Sequence, residues 1–282
     1  MQYDLPCSSG NSGEIAMHGS QARALDQFYT KACVAKLCVA ELLRFLQDRY
    51  SGAIWIEPSA GKGAFVDHLP APRIALDIAP QRPDISCVDF LQWSPGQLTR
   101  KAIVVGNPPF GKNSSLAQRF FNHSAQFASV VAFIVPRTFQ KQSMVNRLDP
   151  FMYLQREIEI PDEAFEFIGE AYHVPTVFQI WERGTMVRQA TQRKLSHPDF
   201  AFVPPGNADF AFQRVGARAG LVSHEGLRKS PQSHYFLKSN IDPEGLFSRL
   251  KTIDWNEIKW RTAGNPSIGK GELIERYEAE YA

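Results

Sequence analysis

The feature that most constrains the fold is a series of short apolar runs that stop at polar or loop-forming residues. Residues 53–56 run into Glu57 and a glycine-containing loop, and residues 102–105 run into Asn107. Further runs are 73–76 before Asp77, 86–88 before Asp89, 130–135 before Pro136 and Arg137, and 176–182. Apolar strands separated by helix-length segments indicate a parallel sheet with helices on both faces, and such sheets bind ligands at the carboxyl ends of their strands. We therefore expect the polar strand ends to face one crevice.

Helices are indicated where apolar residues recur at intervals of three and four. The clearest helix covers about 32–49, with Thr30 as a candidate N-cap. A second helix is predicted to begin at 64–68, and a third covers 116–126. We also expect strand 176–182 to pair with a stretch near 156–160.

The sequence pattern changes near residue 183, which predicts a division of the chain. We assign residues 1–22 to a flexible leader, 23–183 to the α/β domain and 184–282 to a C-terminal appendage. In the appendage, the alternating segments 200–203 and 210–213 indicate a small mixed β/α structure.

Composition excludes several classes of protein. Of the 282 residues, 44% are hydrophobic and 21% are charged, which argues against disorder and collagen. The four cysteines include no CxxC pair and no zinc-finger spacing with histidine, so we expect reduced thiols, no metal and a cytoplasmic protein. No run approaches the roughly 18–20 apolar residues of a membrane span, and the N-terminus lacks the pattern of a signal peptide.

Positive charge is concentrated late in the chain. Residues 1–182 contain 16 bases and 18 acids, whereas residues 183–261 contain 13 bases and 7 acids. A solvated face and a polyanion-binding surface are both compatible with this excess. Candidate phosphate contacts are Arg214, Arg218, Arg228, Lys229 and Lys238.

Three successive strand ends suit an adenosine-containing ligand. The glycines of loop 57–63 let the backbone approach a ligand closely, although this loop alone could be a structural turn. Asp77 can accept hydrogen bonds from both ribose hydroxyls. Asp89 can accept one from an exocyclic amine, and Phe90 can cover an adenine face.

The tetrapeptide Asn107-Pro108-Pro109-Phe110 follows an apolar strand and forms a candidate catalytic loop. Proline fixes the backbone and has no N–H, so the segment is rigid, and a simple tight turn is the alternative interpretation. The Asn107 side-chain oxygen and a proline carbonyl can converge as two acceptors on one planar NH₂ group. Phe110 can stack on the ring that carries this group.

This ordered set of motifs resembles the S-adenosylmethionine-dependent methyltransferases that act on exocyclic amino groups, in particular the gamma group of DNA adenine-N6 enzymes with an NPPF or NPPY motif. Residues 26–30 resemble their N-terminal cofactor motif, and residues 57–63 resemble their glycine loop. The resemblance covers about 26–182. It implies an α/β, Rossmann-like methyltransferase domain with a mostly parallel seven-stranded sheet, followed by a small mixed α/β appendage that recognises nucleic acid.

The resemblance also implies a role for each site residue. The catalytic residues would be Asn107, Pro108, Pro109 and Phe110. The residues expected to contact S-adenosylmethionine are Tyr29, Thr30, Glu57, Ser59, Gly61, Gly63, Asp77, Asp89 and Phe90. Tyr172 would stack on an adenine flipped out of DNA, with simple packing beside the strand as the alternative. Arg137 would contact phosphate or pair with an acid.

The implied reaction is methyl transfer to N6 of adenine in DNA. Adenine-N6 methylation of RNA stays open, because the NPPF motif occurs in enzymes of both kinds. Methylation of a protein glutamine at N5 also stays open, because its amide presents a similar NH₂ group. The basic excess in the C-terminal part argues mildly against a protein substrate.

Overall fold

The computed structural model describes residues 29–161, 163–167, 170–172, 175–192, 194–262 and 264–281. The chain forms two compact units. The first consists of the residues up to Ile134, Leu154–Val174 and Phe178–Arg183, and the second of Val135–Tyr153, Pro175–Val177 and Gly184–Ala282. The predicted leader at 1–22 and residues 26–28 of the N-terminal motif lie outside the described residues.

The secondary structure alternates between strands and helices in the first half of the chain. The described strands are β1 (Tyr29–Thr30), β2 (Ile54–Glu57), β3 (Arg73–Asp77), β4 (Ser86–Cys87), β5 (Ala102–Gly106), β6 (Val130–Pro136), β7 (Met152–Glu159), β8 (Phe165–Phe167), β9 (Glu170–Tyr172), β10 (Thr176–Arg183), β11 (Phe200–Phe202), β12 (Phe210–Gln213), β13 (Val222–Ser223) and β14 (His234–Ser239). The α-helices are α1 (Ala32–Leu46), α2 (Ser115–Ser124), α3 (Gln142–Val145), α4 (Pro243–Thr252), α5 (Asn256–Lys259) and α6 (Lys270–Tyr281).

The largest sheet has seven strands in the order β4-β3-β2-β5-β6-β10-β7. Its neighbours from β4 to β6 are all parallel. Strands β5 and β6 are buried along their whole length, as expected for a sheet covered on both faces. The predicted pairing of 176–182 with the stretch near 156–160 is present as β10 beside β7. The predicted fold class, an α/β Rossmann-like arrangement with a mostly parallel seven-stranded sheet, is confirmed.

The first helix begins at residue 32, as predicted, but its N-cap and its end differ from the prediction. Thr30 lies in β1, where its Cα pairs with that of Phe165, and Lys31 N donates to Ala164 O at 3.0 Å. The prediction of Thr30 as N-cap is therefore wrong: this pairing keeps the chain extended through Lys31, the residue that precedes the helix. The helix ends at Leu46 because Gln47 has a φ of 49°.

The prediction of a helix that begins at 64–68 is also wrong. This segment forms only a 3₁₀ turn, Val66–His68. Pro70 and Pro72 follow directly, and a proline has no N–H to donate and disfavours helical geometry in the residue before it. Within the described part of the chain, no helix combines the length and apolar character needed to cross a membrane.

A small three-stranded sheet, in the order β1-β8-β9, lies in the first unit. Both pairs are antiparallel, with Thr30 opposite Phe165 and Phe165 opposite Tyr172. Opposed residues of an antiparallel pair have Cα atoms only about 4.5–5.5 Å apart. The sheet therefore brings the backbone of Thr30 and that of Tyr172 to either side of Phe165.

The second unit contains an antiparallel sheet in the order β11-β14-β12-β13, followed in the chain by α4, α5 and α6. Its core combines aliphatic side chains with five buried aromatic ones. Buried members include Phe200, Phe210, Phe212, Trp255 and Tyr277. The predicted mixed β/α character of the appendage is confirmed.

Candidate active site

A cavity of about 490 Å³ opens in the first unit at the carboxyl ends of β2, β3 and β5. Because β2 and β5 are neighbours although β3 and β4 come between them in the chain, the cavity lies at the point where the strand order reverses. Sheets of this kind bind ligands there. The predicted site residues that line the cavity are Tyr29, Thr30, Glu57, Ser59, Gly61, Asp77, Asp89, Phe90, Asn107, Pro108, Pro109 and Phe110.

The glycine loop after β2 is held against the end of β3 by backbone hydrogen bonds. Ala60 N donates to Leu76 O at 2.8 Å, and Gly61 O accepts from Gln81 N at 3.1 Å. Gly61 has a φ of +50°, and a Cβ there would lie 3.0 Å from the ring of Tyr29. Only glycine therefore allows this loop and the Tyr29 ring to meet at the cavity wall.

Gly63 has a packing role and is not among the lining residues. Its φ is +83°, and a Cβ there would collide with the guanidinium of Arg82. That guanidinium is paired with Asp67 at 2.6 Å and with Asp84 at 2.7 Å. Gly63 thus makes room for an ion-pair network beside the loop.

Asp77 connects the second strand end to the glycine loop. Its side chain is buried, with Oδ2 accepting from Gly61 N at 2.7 Å and Oδ1 accepting from Ala79 N at 2.7 Å. Each carboxylate oxygen has a second lone pair. Asp77 can therefore fix the loop and still accept a hydrogen bond from a ligand hydroxyl.

Glu57 is a buried carboxyl group in the cavity wall. It is 2% exposed, and its Oε2 has no hydrogen-bond partner among the described residues. Burial raises the pKa of Glu57 well above its usual range; a backbone hydrogen bond at Val66 opposes the shift, and the charges of Asp77 and Asp67 add to it. Such an oxygen is suited to a ligand group that is cationic or carries an N–H.

The Tyr29 side chain is close to the charge of Asp77 and to the exposed side chain of Lys62. Burial, and secondarily the charge of Asp77, raises the pKa of the phenol. The Lys62 Nζ lies 4.6 Å from the centre of the ring. The phenol therefore stays neutral at physiological pH and gives the cavity a polar aromatic wall.

The Asn107 loop is attached to the glycine loop by a side-chain hydrogen bond. Ser59 Oγ donates to Asn107 O at 3.0 Å. Phe110 O accepts from Leu116 N and Ala117 N at 3.1 and 3.2 Å, which ties the other end of the tetrapeptide to α2. The two loops predicted from separate strand ends thus form one hydrogen-bonded structure.

Phe110 and Phe90 are more enclosed than the sequence suggests. Phe110 is 7% exposed and meets Phe165 edge to face, with ring centres 6.4 Å apart. Phe90 is 1% exposed and packs against Trp93, Phe120, His123 and Phe127. Both rings line the cavity but offer it little surface.

Ile78 and Val88 are among the cavity residues that the sequence did not indicate. Ile78, which follows Asp77, is 51% exposed and lines the cavity together with Val88. An exposed apolar side chain beside the proposed ribose acceptor is suited to cover a flat ring. The available sequence signal was an apolar residue directly after the acid at a strand end. Asp89 is exposed on the same wall, where its Oδ1 accepts from Leu91 N at 2.9 Å.

The two predicted substrate residues, Tyr172 and Arg137, lie in different units. Tyr172 has its backbone in β9, opposite Phe165, whose ring contacts Phe110. Arg137 belongs to the second unit, where it begins the 3₁₀ helix Arg137–Gln140 and its backbone N–H donates to Pro175 O at 3.2 Å. Arg137 is not among the residues that line the cavity of the first unit.

The donor set of the cavity fits S-adenosylmethionine. The volume is in the range of small-molecule sites, the unpaired Glu57 oxygen suits a cationic group, and Asp77 suits ribose hydroxyls. Among the described residues, no group of three or more His, Cys, Asp or Glu side chains is arranged to hold a metal ion.

Comparison with known proteins finds only distant structural similarity. No family model and no curated protein matches the chain. A Pyrococcus horikoshii protein provisionally described as an RNA methyltransferase is 16% identical, with a TM-score of 0.43, over 62% of this chain and 100% of that chain. The N-methyltransferase NodS of Bradyrhizobium japonicum is 13% identical, with a TM-score of 0.37, over 54% and 97% of the two chains. A Streptococcus thermophilus protein provisionally described as a hemolysin is 12% identical, with a TM-score of 0.39, over 57% and 69%.

Proposed function

We propose that the protein transfers a methyl group from S-adenosylmethionine to the exocyclic N6 of adenine in DNA. The observation that carries this proposal is the convergence of the glycine loop, Asp77 and the Asn107 loop on one cavity, with Ser59 joining the two loops at 3.0 Å. Cofactor-type and acceptor-type groups therefore line the same space.

On the cofactor side, we assign Asp77 to the ribose hydroxyls and Ile78 to a face of the adenine. Glu57, ionised when a cation approaches, would pair with a positively charged group of the ligand. When bound, S-adenosylmethionine would supply a methyl group on a positively charged sulfur atom, open to in-line displacement. The chain contributes mainly orientation and exclusion of water.

On the acceptor side, the Asn107 side-chain oxygen and the Pro108 carbonyl would accept the two N–H bonds of the target amine. The lone pair of adenine N6 is delocalised into the ring, so holding the N–H groups favours the geometry in which N6 can attack. Methyl transfer would form the bond from N6 to the methyl carbon and leave the electron pair of the carbon–sulfur bond on the sulfur. The N6 proton then leaves to solvent from an acidic product ammonium, so the site needs no strong base. Phe110 would restrict the plane of the ring.

Charge at the cavity supports a nucleic-acid substrate over a protein. Lys62, Lys112 and Arg119 all line the cavity and are exposed. None of the three forms an ion pair with a described residue. Exposed cations beside an adenine site are suited to the phosphates that flank a flipped nucleotide.

The decisive experiment is tritiated methyl transfer to duplex DNA, single-stranded DNA, RNA and protein in parallel, with analysis of the modified nucleoside or residue. N6-methyladenine in DNA is the expected product, and the Asn107→Ala variant should give none. Product in RNA alone would replace DNA by RNA as the substrate. A methylated glutamine, or no transfer to any acceptor by protein that binds S-adenosylmethionine, would contradict the proposal.

A further inference from the structure

The second unit contains a cavity of its own, of about 560 Å³. Every residue that lines it belongs to that unit. It is formed by residues 140–143 around the start of α3, by Arg214, by Tyr235 of β14 and by the beginning of α6. None of these groups was assigned to methyl transfer, so the cavity is a separate candidate site.

Four basic side chains line this cavity: Lys141, Arg214, Arg261 and Lys270. The acidic side chains that line it are Glu272 and Glu275. Two of the bases are already paired. Lys141 lies 3.2 Å from Glu272 Oε2, and Arg261 lies 2.6 Å from Glu257. Arg214 and Lys270 form no ion pair with any residue in the described ranges and are the cations available to a ligand.

Arg214 is held in place by uncharged partners. Its guanidinium carbon lies 4.9 Å from the centre of the Tyr235 ring, and its Nη1 donates to Gln232 O at 3.2 Å. Its buried Nε has no acceptor among the described residues. A guanidinium that is stacked on a ring and keeps unused donors is pre-organised for a planar or tetrahedral oxyanion.

Lys270 approaches the same ring. Its Nζ lies 5.8 Å from the centre of Tyr235 and 4.6 Å from that of Phe202. Phenylalanine has no ionisable group, and burial raises the pKa of the Tyr235 phenol, so both rings are uncharged. Two cationic side chains thus lie over the same uncharged Tyr235 ring, and neither is paired with a carboxylate of the described residues.

Glu272 is the group that could oppose an anion, and its contacts are internal. Its Oε2 accepts from Gly269 N at 2.7 Å, which caps the first turn of α6, and also receives Lys141. Lys141 and the Gly269 N–H therefore offset its charge at Oε2, whereas its buried Oε1 has no hydrogen-bond partner among the described residues. The cavity as a whole still has four bases against two acids. Glu275 is exposed to solvent, where its field is screened.

We propose that this cavity binds a phosphate group, with Arg214 and Lys270 as its donors. The phosphate could belong to the backbone of a polynucleotide or to a free nucleotide; the first case rests on the proposed function, and the second is independent of it. The structure also separates Arg214 from Lys238, another candidate from the basic segment, because Lys238 is paired with Asp209 at 2.6 Å.

The test uses full-length protein and three single variants: Arg214→Gln, Lys270→Gln and, as a matched control, Lys251→Gln, which replaces an exposed base on α4 that does not line the cavity. Binding of a labelled DNA duplex is measured by fluorescence anisotropy across a salt series, and binding of pyrophosphate by calorimetry. Thermal unfolding and S-adenosylmethionine affinity report on the fold and on the first unit. Because Lys270 is exposed, its variant keeps the test valid if the Arg214 variant folds poorly.

We expect each cavity variant to bind the phosphate ligand about tenfold more weakly or worse, while the control binds like the wild type. If the ligand is polynucleotide, the slope of log affinity against log salt should fall by about 1 per variant. Loss of pyrophosphate binding alone would identify a free nucleotide as the source. Cavity variants that bind both probes like the control would overturn the proposal, and this result would leave methyl transfer in the parallel assay untouched.

Discussion

Replacing Glu57 by glutamine should make the protein more stable at neutral pH while weakening its cofactor site. Burial raises the pKa of Glu57 well above the value of about 4.3 expected in the unfolded chain. Between these two pKa values, the folded protein keeps a proton that the unfolded chain has lost. The wild-type free energy of unfolding should therefore fall as pH rises through this window.

The structure sets the size of this effect. At most one proton differs between the two states, so the slope cannot exceed about 1.4 kcal/mol per pH unit. The Glu57→Gln side chain keeps an acceptor for the backbone at Val66 and carries no charge at any pH. At pH 8 the variant should be more stable than the wild type, by up to about 1.4 kcal/mol for each pH unit that separates the unfolded pKa from the raised folded pKa. Below pH 4 the two should be equally stable.

Urea unfolding at intervals from pH 4 to pH 8 measures this difference, with the exposed Asp48→Asn as a control that should follow the wild type. Calorimetry at pH 8 measures S-adenosylmethionine affinity, which should fall in the Glu57→Gln variant because the neutral amide cannot pair with a cation. Parallel curves of stability against pH would refute the reasoning about burial. Unchanged affinity would refute the assignment of Glu57 to the ligand.

Three further predictions concern the same cavity. Asn107→Ala should abolish methyl transfer and leave S-adenosylmethionine affinity close to wild type, as turnover and calorimetry can check. Asp77→Asn should weaken the cofactor by about 1.5–3 kcal/mol, with much of the rate restored at saturating cofactor; unchanged affinity would contradict the ribose assignment. Lys112→Gln and Arg119→Gln should each lower the salt slope of DNA binding by about 1, whereas Lys36→Gln on α1 should not.

The strands of the large sheet were predictable because burial on both faces produces continuous apolar runs. The run 102–105 corresponds to β5, for example, and 130–135 to β6. Helix starts were less predictable. Thr30 has the chemistry of an N-cap, but a pairing partner more than a hundred residues away in sequence keeps it extended. Local patterns do not reveal such a partner.

The polar ends of the strands were predictable for a similar reason, since parallel strands bring their carboxyl ends to one edge. Burial of individual rings was not. Phe90 is enclosed by four aromatic side chains between residues 93 and 127. Phe165, which belongs to a sheet formed by three separate segments, meets the ring of Phe110. The second cavity was not predicted, because Lys270 lies outside the basic segment 183–261. Only the folded chain brings it to the same cavity as Arg214.

The hydroxyl of Ser59 has a consequence for the order of events. This hydroxyl links the glycine loop, which we assign to the cofactor, with the backbone of Asn107. A change in the conformation of one loop therefore changes the conformation of the other. Coupling between two ligands is reciprocal: if the cofactor raises affinity for the acceptor base, the base raises affinity for the cofactor by the same factor. Under the proposed function, such coupling would make the protein engage its target preferentially in the loaded state. Encounters made without a methyl donor are then brief and do not delay the search for a site.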